Sequence, residues 1–312
     1  MENKHSSLPV IFFALSANLF IAVMKLVVAI ITVSSAMLAE AIHSFADTFN
    51  QVFLLVGIKK GAKAPNQLHP FGFSGEMYFW SFIVAIILFT AGGVFSIYEG
   101  IHKILHPQPI ENIMYAFIVL GLSIGAEGVA FYKVCKKINS ERRGISIYRY
   151  LRKTKKSELI VVFLEDLAAL SGLTTALVLI FLEHITGILI FDAIASIIIG
   201  LILCLVALFL GNEIRSLLIG ESADPKIIKE ISAIFHQEES INRVVYIKSL
   251  QLGPEDILLA ANIEFNHRLT AVEISNLIDG IEKEIHEKLP DVKKIFIEPD
   301  LYSSAIMGPT HR

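Results

Sequence analysis

Apolar residues gather along the chain into six runs of about 20, the length a bilayer demands of a helix. They cover residues 10–33, 37–58, 77–98, 113–134, 159–182 and 190–210. Polar or turn-forming breaks separate them: Ser34-Ser35, then residues 59–75, 101–112, 135–158 and 183–187. Past Ile219 the pattern changes. Residues 225–238 read as an amphipathic helix, and 244–250 and 257–265 as strands around the turn Gly253-Pro254-Glu255-Asp256. In residues 271–288, Ile274, Leu277, Ile278, Ile281 and Ile285 keep helical spacing, Pro290 ends the helix, and 292–298 read as a third strand. The predicted fold class is an α-helical membrane protein of six transmembrane helices with a small cytoplasmic α/β domain, α-β-β-α-β in order and ferredoxin-like. The division expected is 1–219 transmembrane, 220–300 α/β and 301–312 a disordered tail.

The second run is not uniformly apolar. Glu40, His43, Asp47 and Asn50-Gln51 follow at steps of three and four, so a helix gathers them into one polar stripe. An ionisable group at membrane depth costs roughly 3 kcal/mol on insertion scales, a cost with no return unless it meets a partner. Imidazole and carboxylate one turn apart make half a site for a divalent cation. The fifth run holds Glu165-Asp166, about 100° apart around a helix, so one faces a cavity while the other meets a neighbouring helix. Small residues Ala46, Ala168 and Ala169 would let the two helices cross closely and bring His43, Asp47 and Asp166 within ligand distance. The competing explanation is a set of interhelical hydrogen bonds between protonated carboxyls. Lys25, deep in the first run, calls for a carboxylate, Glu127 of the fourth run being the first choice; the alternative is that it snorkels to the nearer interface. Glu40 either lines an exit path or faces water at the helix end, and Asp192 reads as the N-cap of the sixth helix.

Composition agrees with a membrane protein. The chain is 54% hydrophobic with a mean hydropathy of +0.62, too apolar for a soluble domain of 312 residues. No basic cluster interleaved with aromatics marks a nucleic-acid binder, and the net charge is only −3. Cys135 and Cys204 lack CxxC spacing and read as isolated reduced thiols. The first run has no convincing small-residue cleavage site and reads as a retained span. Lys59, Lys60 and Lys63 follow the second run, and nine Lys and Arg between Lys136 and Lys156 follow the fourth, against Lys103 alone after the third. Positive-inside asymmetry therefore puts both termini in the cytoplasm, and with no targeting segment the expected location is the cell (inner) membrane. No HExxH-type motif sets a general base beside a metal-bound water, so the chain is not expected to be an enzyme.

Taken together, six spans, Ala39-Glu40-Ala41-Ile42-His43-Ser44-Phe45-Ala46-Asp47, an acidic residue in the fifth span and the α-β-β-α-β end resemble the cation diffusion facilitator family. His69-Pro70-Phe71-Gly72-Phe73, His106-Pro107-Gln108-Pro109-Ile110, Leu164-Glu165-Asp166 and Leu218-Ile219-Gly220-Glu221 look most like the branch with the mitochondrial zinc transporter of animals and its bacterial relatives. The resemblance implies export of a cytoplasmic divalent cation, zinc first, in exchange for protons, by a homodimer paired through its cytoplasmic domains. It also implies transport ligands four residues apart in spans two and five. His43 and Asp47 match in full; in span five Asp166 matches but Val162 stands where the partner should be. Glu165, Glu127 or water then completes the site, and a more oxygen-rich set would favour manganese or iron. The family's second site has one of its two residues here, His69, with Phe73 as the other, and its third meets Asn262 and the ending Glu298-Pro299-Asp300. No resident cofactor is expected, the metal being cargo, and the partners are protons, lipid and a second copy. A membrane-anchored metal sensor is the reading from another functional class.

Overall fold

A computed structural model describes residues 8–142, 144–152, 154 and 156–300. The chain divides into two compact units, one of residues 1–62, 76–152 and 156–215, the other of 63–75, 153–155 and 216–312. The expected disordered tail lies outside the described residues.

The first unit is helical: α1 (Leu8–Thr32), α2 (Ser35–Gly61), α3 (Glu76–Ile87), α4 (Phe95–Leu105), α5 (Ile113–Glu141), the short α6 (Ile147–Leu151), α7 (Ser157–Thr186) and all but the last turn of α8 (Ile190–Ile219). A seven-residue π-helical stretch, Leu88–Val94, joins α3 to α4 without a break, so Glu76–Leu105 is a single rod. This rod, α5, the Leu159–Thr186 part of α7 and α8 are four helices long and apolar enough to cross a membrane. Among the described residues α1 contributes a shorter apolar helix, Asn18–Thr32. The second run predicted a span equal to the others, but α2 does not join the strongly apolar four. The polar stripe that makes it interesting is also what dilutes its hydropathy.

Small residues set how closely the helices approach. The rod crosses α8 at Gly93, Gly100 and Gly200. A Cβ on Gly100 would stand 2.7 Å from the Ala193 carbonyl oxygen, and one on Gly200 would stand 2.6 Å from that of Gly93. The core beneath is Met37, Leu88, Leu120, Leu173, Ile180, Ile199 and Leu203, all nearly or fully buried. Large apolar side chains such as Phe20, Leu122, Val129, Leu205 and Leu208 point outward, the arrangement of a bundle whose solvent is lipid.

The second unit holds a small sheet domain: α9 (Pro225–Gln237), β1 (Ile241–Gly253), β2 (Asp256–Phe265), α10 (Ala271–Lys288) and β3 (Val292–Pro299). The sheet order is β1-β2-β3, with β1 antiparallel and β3 parallel to the central β2. Asp224 caps α9 by accepting from Lys226 N, and Pro225 fills the first turn, where its missing N–H costs nothing. Thr270 and Glu273 form a reciprocal capping box on α10. That contact holds the Glu273 carboxyl below the usual glutamate range, through the Thr270 backbone N–H first and its hydroxyl second. Ile231, Phe235, Leu259, Ile263, Ile281 and Ile285 make the core between helices and sheet.

Candidate metal centre

The site begins with the way α2 is started. Ser34 is its N-cap and accepts from Met37 N at 3.1 Å. A second acceptor comes from another helix. Asp192, in the first turn of α8, takes hydrogen bonds from Ser35 N at 2.7 Å and Ala36 N at 3.1 Å. It also takes the Ser34 and Ser35 hydroxyls at 2.6 and 3.0 Å, and the Lys103 ammonium stands 3.2 Å away. Asp192 was expected to cap its own helix. It caps α2 instead, because the first free N–H groups of α2 are what its buried carboxylate faces. Lys103 in turn donates to the carbonyl of Val33, which sits at φ 56 between α1 and α2.

From that fixed start the stripe runs down α2 as read. Glu40, His43 and Asn50 are completely buried, while the Asp47 side chain is 19% exposed. His43 Nδ1 lies 3.4 Å from Asp47 Oδ1, one turn on, an ion-pair distance without hydrogen-bond geometry. Neither ring nitrogen of His43 has a hydrogen-bond partner, and Asp47 Oδ1 and Asp166 Oδ2 have none either. Asp47 shares a cavity of about 10 Å³ with Asn18, Ser44 and Glu127, room for about one water. Glu165 is engaged elsewhere: Asn50 Nδ2 donates to its Oε1 at 2.6 Å. Asp166, on the next face of α7, lies within electrostatic reach of Glu127 and Cys135 on α5.

The five residues singled out in the sequence therefore sit in one neighbourhood but not in one coordination sphere. Glu165, Glu127 and Glu40 lie close enough to Asp47 for their charges to oppose its own, and Lys25 close enough to favour it. Among the described residues no three His, Cys, Asp or Glu side chains are gathered closely enough to hold an ion. Asp47 and Glu127 border the small cavity, His43 is buried one turn away from Asp47, and Glu165 is tied to α2 through Asn50.

Two expectations fail here. Lys25 is not paired with Glu127; its Nζ lies 3.2 Å from Glu40 Oε2 and donates to Ser44 Oγ at 2.8 Å. Glu40 accordingly neither faces water nor lines an exit, being wholly buried against Lys25. The signal for this pairing was present, since Glu40 and Ser44 stand one turn apart, but the sequence alone does not tell which helix faces α1. Outside the membrane unit, His69 packs against Phe73 with the rings tilted by 35° and their centroids 4.4 Å apart. Glu298 accepts from Asn262 Nδ2 at 3.2 Å.

Comparison with known proteins follows the same outline. A family model for the cation efflux transmembrane domain matches residues 11–219. The human mitochondrial proton-coupled zinc antiporter SLC30A9 is 31% identical over 262 residues, 83% of this chain and 46% of that protein. Metal tolerance protein C4 of Arabidopsis thaliana is 30% identical over 238 residues, 76% of this chain and 52% of that protein. The manganese efflux system protein MneP of Bacillus subtilis is 25% identical over 301 residues, covering 96% of this chain and 98% of MneP. The chain thus spans about half the length of the animal and plant relatives and nearly all of the bacterial one. With two thirds of its length matched by that domain, the chain belongs to the cation efflux family, the cation diffusion facilitators.

Proposed function

We propose that this protein exports a divalent metal cation, zinc first, in exchange for protons. The observation that carries the reading is the set of bare, buried ligand atoms on His43, Asp47 and Asp166. Buried polar groups are nearly always satisfied, and three unsatisfied ones on facing helices ask for a ligand that comes and goes. The name of the mitochondrial zinc antiporter, matched over most of this chain, supports zinc and protons.

Metal ligands must be deprotonated to bind, so metal and protons compete for the same atoms. With the cleft open on one side, a dication displaces protons from His43, Asp47 and Asp166. The helices then rock to open the other side, where protons displace the metal. A site near mid-bundle between helices suits such alternating access. The separation of Asp166 from His43 and Asp47 in this conformation fits a site that closes only around its cargo. Glu127, which lines the same cavity as Asp47, would complete it, because Glu165 is already held by Asn50.

In the full proposal α1 and α2 complete a six-span bundle, both termini lie in the cytoplasm, and the 220–300 domain pairs two copies. Manganese is the second reading. It is favoured by MneP, matched over nearly its whole length, and by a neighbourhood with one His against several carboxylates.

The test uses proteoliposomes loaded with a pH dye, with zinc or manganese added. Wild type is expected to move metal and protons in opposite directions. Asp47→Ala should lower uptake at least about 100-fold, the upper end of what losing even an outer-shell partner of a metal ligand costs, with the helical circular dichroism unchanged. Metal uptake without proton counterflow overturns exchange, and unchanged uptake by Asp47→Ala overturns the site.

A further inference from the structure

Beside the candidate ligands lies a pair that the transport scheme does not use. Lys25 of α1 is completely buried, its Nζ 3.2 Å from Glu40 Oε2 and 2.8 Å from Ser44 Oγ. Glu40 and Ser44 flank the turn of α2 that carries His43, and Ser44 lines the same small cavity as Asp47 and Glu127. The charge of Lys25 acts on Glu40, His43, Asp47 and Glu127 alike. The second oxygen of Glu40, Oε1, is buried with no partner. It rests against the bare backbone of Gly172 on α7, where a Cβ would come within 2.4 Å of it. One Glu40 oxygen is thus held by Lys25 while the other stays open toward α7, the helix that carries Asp166.

A buried ion pair by itself is weak support for a fold, since exchanging both partners for neutral groups is often neutral or stabilising. Its position gives it another use. We propose that Lys25 is a tethered cation that balances the carboxylates of the His43–Asp47 cleft when no metal is there, and that Glu40 is the arm that restrains it. The inference rests on the metal-site reading above and adds the residues that set how tightly the cargo is held. An arriving dication meets the fixed positive charge of Lys25, which weakens its binding and hastens its release. Glu40 neutralises part of that charge and so strengthens binding. In a low-dielectric interior such charges act over several ångströms with little screening. A carrier gains from this arrangement, because an ion that binds too tightly is not delivered.

The two residues therefore have opposite signs of effect, which a merely structural pair would not. Zinc binding is measured by competition with a chelating dye on full-length protein in nanodiscs, alongside zinc uptake in proteoliposomes. Lys25→Met is expected to bind zinc about tenfold more tightly and to turn over more slowly. Glu40→Gln is expected to bind about tenfold more weakly. The double variant removes both charges together and should return to within about threefold of wild type, with its fold kept. Should Glu40→Gln fail to fold, Lys25→Met and the double variant decide alone. Shifts of both single variants in the same direction, or an unchanged affinity in Lys25→Met, overturn the tethered cation while leaving the metal site standing. Absence of zinc and manganese binding in wild type overturns both.

Discussion

At the scale of single residues, the two acids of α7 have different employment. Glu165 is bonded to Asn50, whereas Asp166 keeps a buried oxygen with no partner. Glu165→Gln preserves an acceptor for Asn50 and is expected to change zinc uptake by less than about threefold, while Asp166→Asn should lower it about 100-fold. Uptake measured side by side in proteoliposomes checks the contrast; equal losses would make Glu165 a ligand. The sequence made His43, Asp47, Glu165 and Asp166 visible because charge in an apolar run is anomalous whatever surrounds it. It left open which acid of Glu165-Asp166 looks which way, since that depends on helix rotation, which packing sets. For the same reason the sequence does not single out the partner of Lys25: Glu40 and Glu127 are equivalent candidates until the face that α1 turns to α2 is known, and the structure selects Glu40.

Among elements, the rod of α3, the π-helical stretch and α4 is held to α8 by contacts that admit no side chain. Gly200 opposes the Gly93 carbonyl and Gly100 that of Ala193. In a bilayer such close approach stands in for the hydrophobic effect as the force between helices. Gly200→Val forces atoms into backbone and should destabilise the bundle by about 1–3 kcal/mol. A lower melting temperature and a broadened gel-filtration peak would report it. The apolar runs marked most of this rod from the sequence, but not its π stretch, because a widened turn leaves hydrophobicity untouched. The start of α2 was likewise readable in Ser34, while the share taken by Asp192 was not, being a contact across 158 residues.

For the whole molecule, the partition into a helical unit and a sheet unit bears on which part would carry the proposed transport. The candidate ligands all belong to the helical unit, and the sheet unit has a core of its own. A chain ending at Ile219 is therefore expected to keep zinc binding within about tenfold of the full chain. It should also lose self-association, as followed by sedimentation. Complete loss of binding would favour the sensor reading, in which the sheet unit carries the function. The α-helical membrane class and the sheet domain were legible because hydropathy and amphipathic spacing are local properties. The joining of residues 63–75 to the sheet unit, with Ser74 donating to Asp256 at 2.5 Å, was not, since a polar loop shows no periodicity.

The carboxylate of Asp192 nails one tip of α2 to α8 with four hydrogen bonds from Ser34, Ser35 and Ala36. In the rocking proposed above, a rod fastened there would swing as a lever about that pivot. With α2 27 residues long, a tilt of about 10° carries its far tip about 7 Å, but His43, eight positions from the pivot, only about 2 Å. On that proposal a small stroke at the stripe would draw near neighbours together, while the far end of α2 would travel several times further.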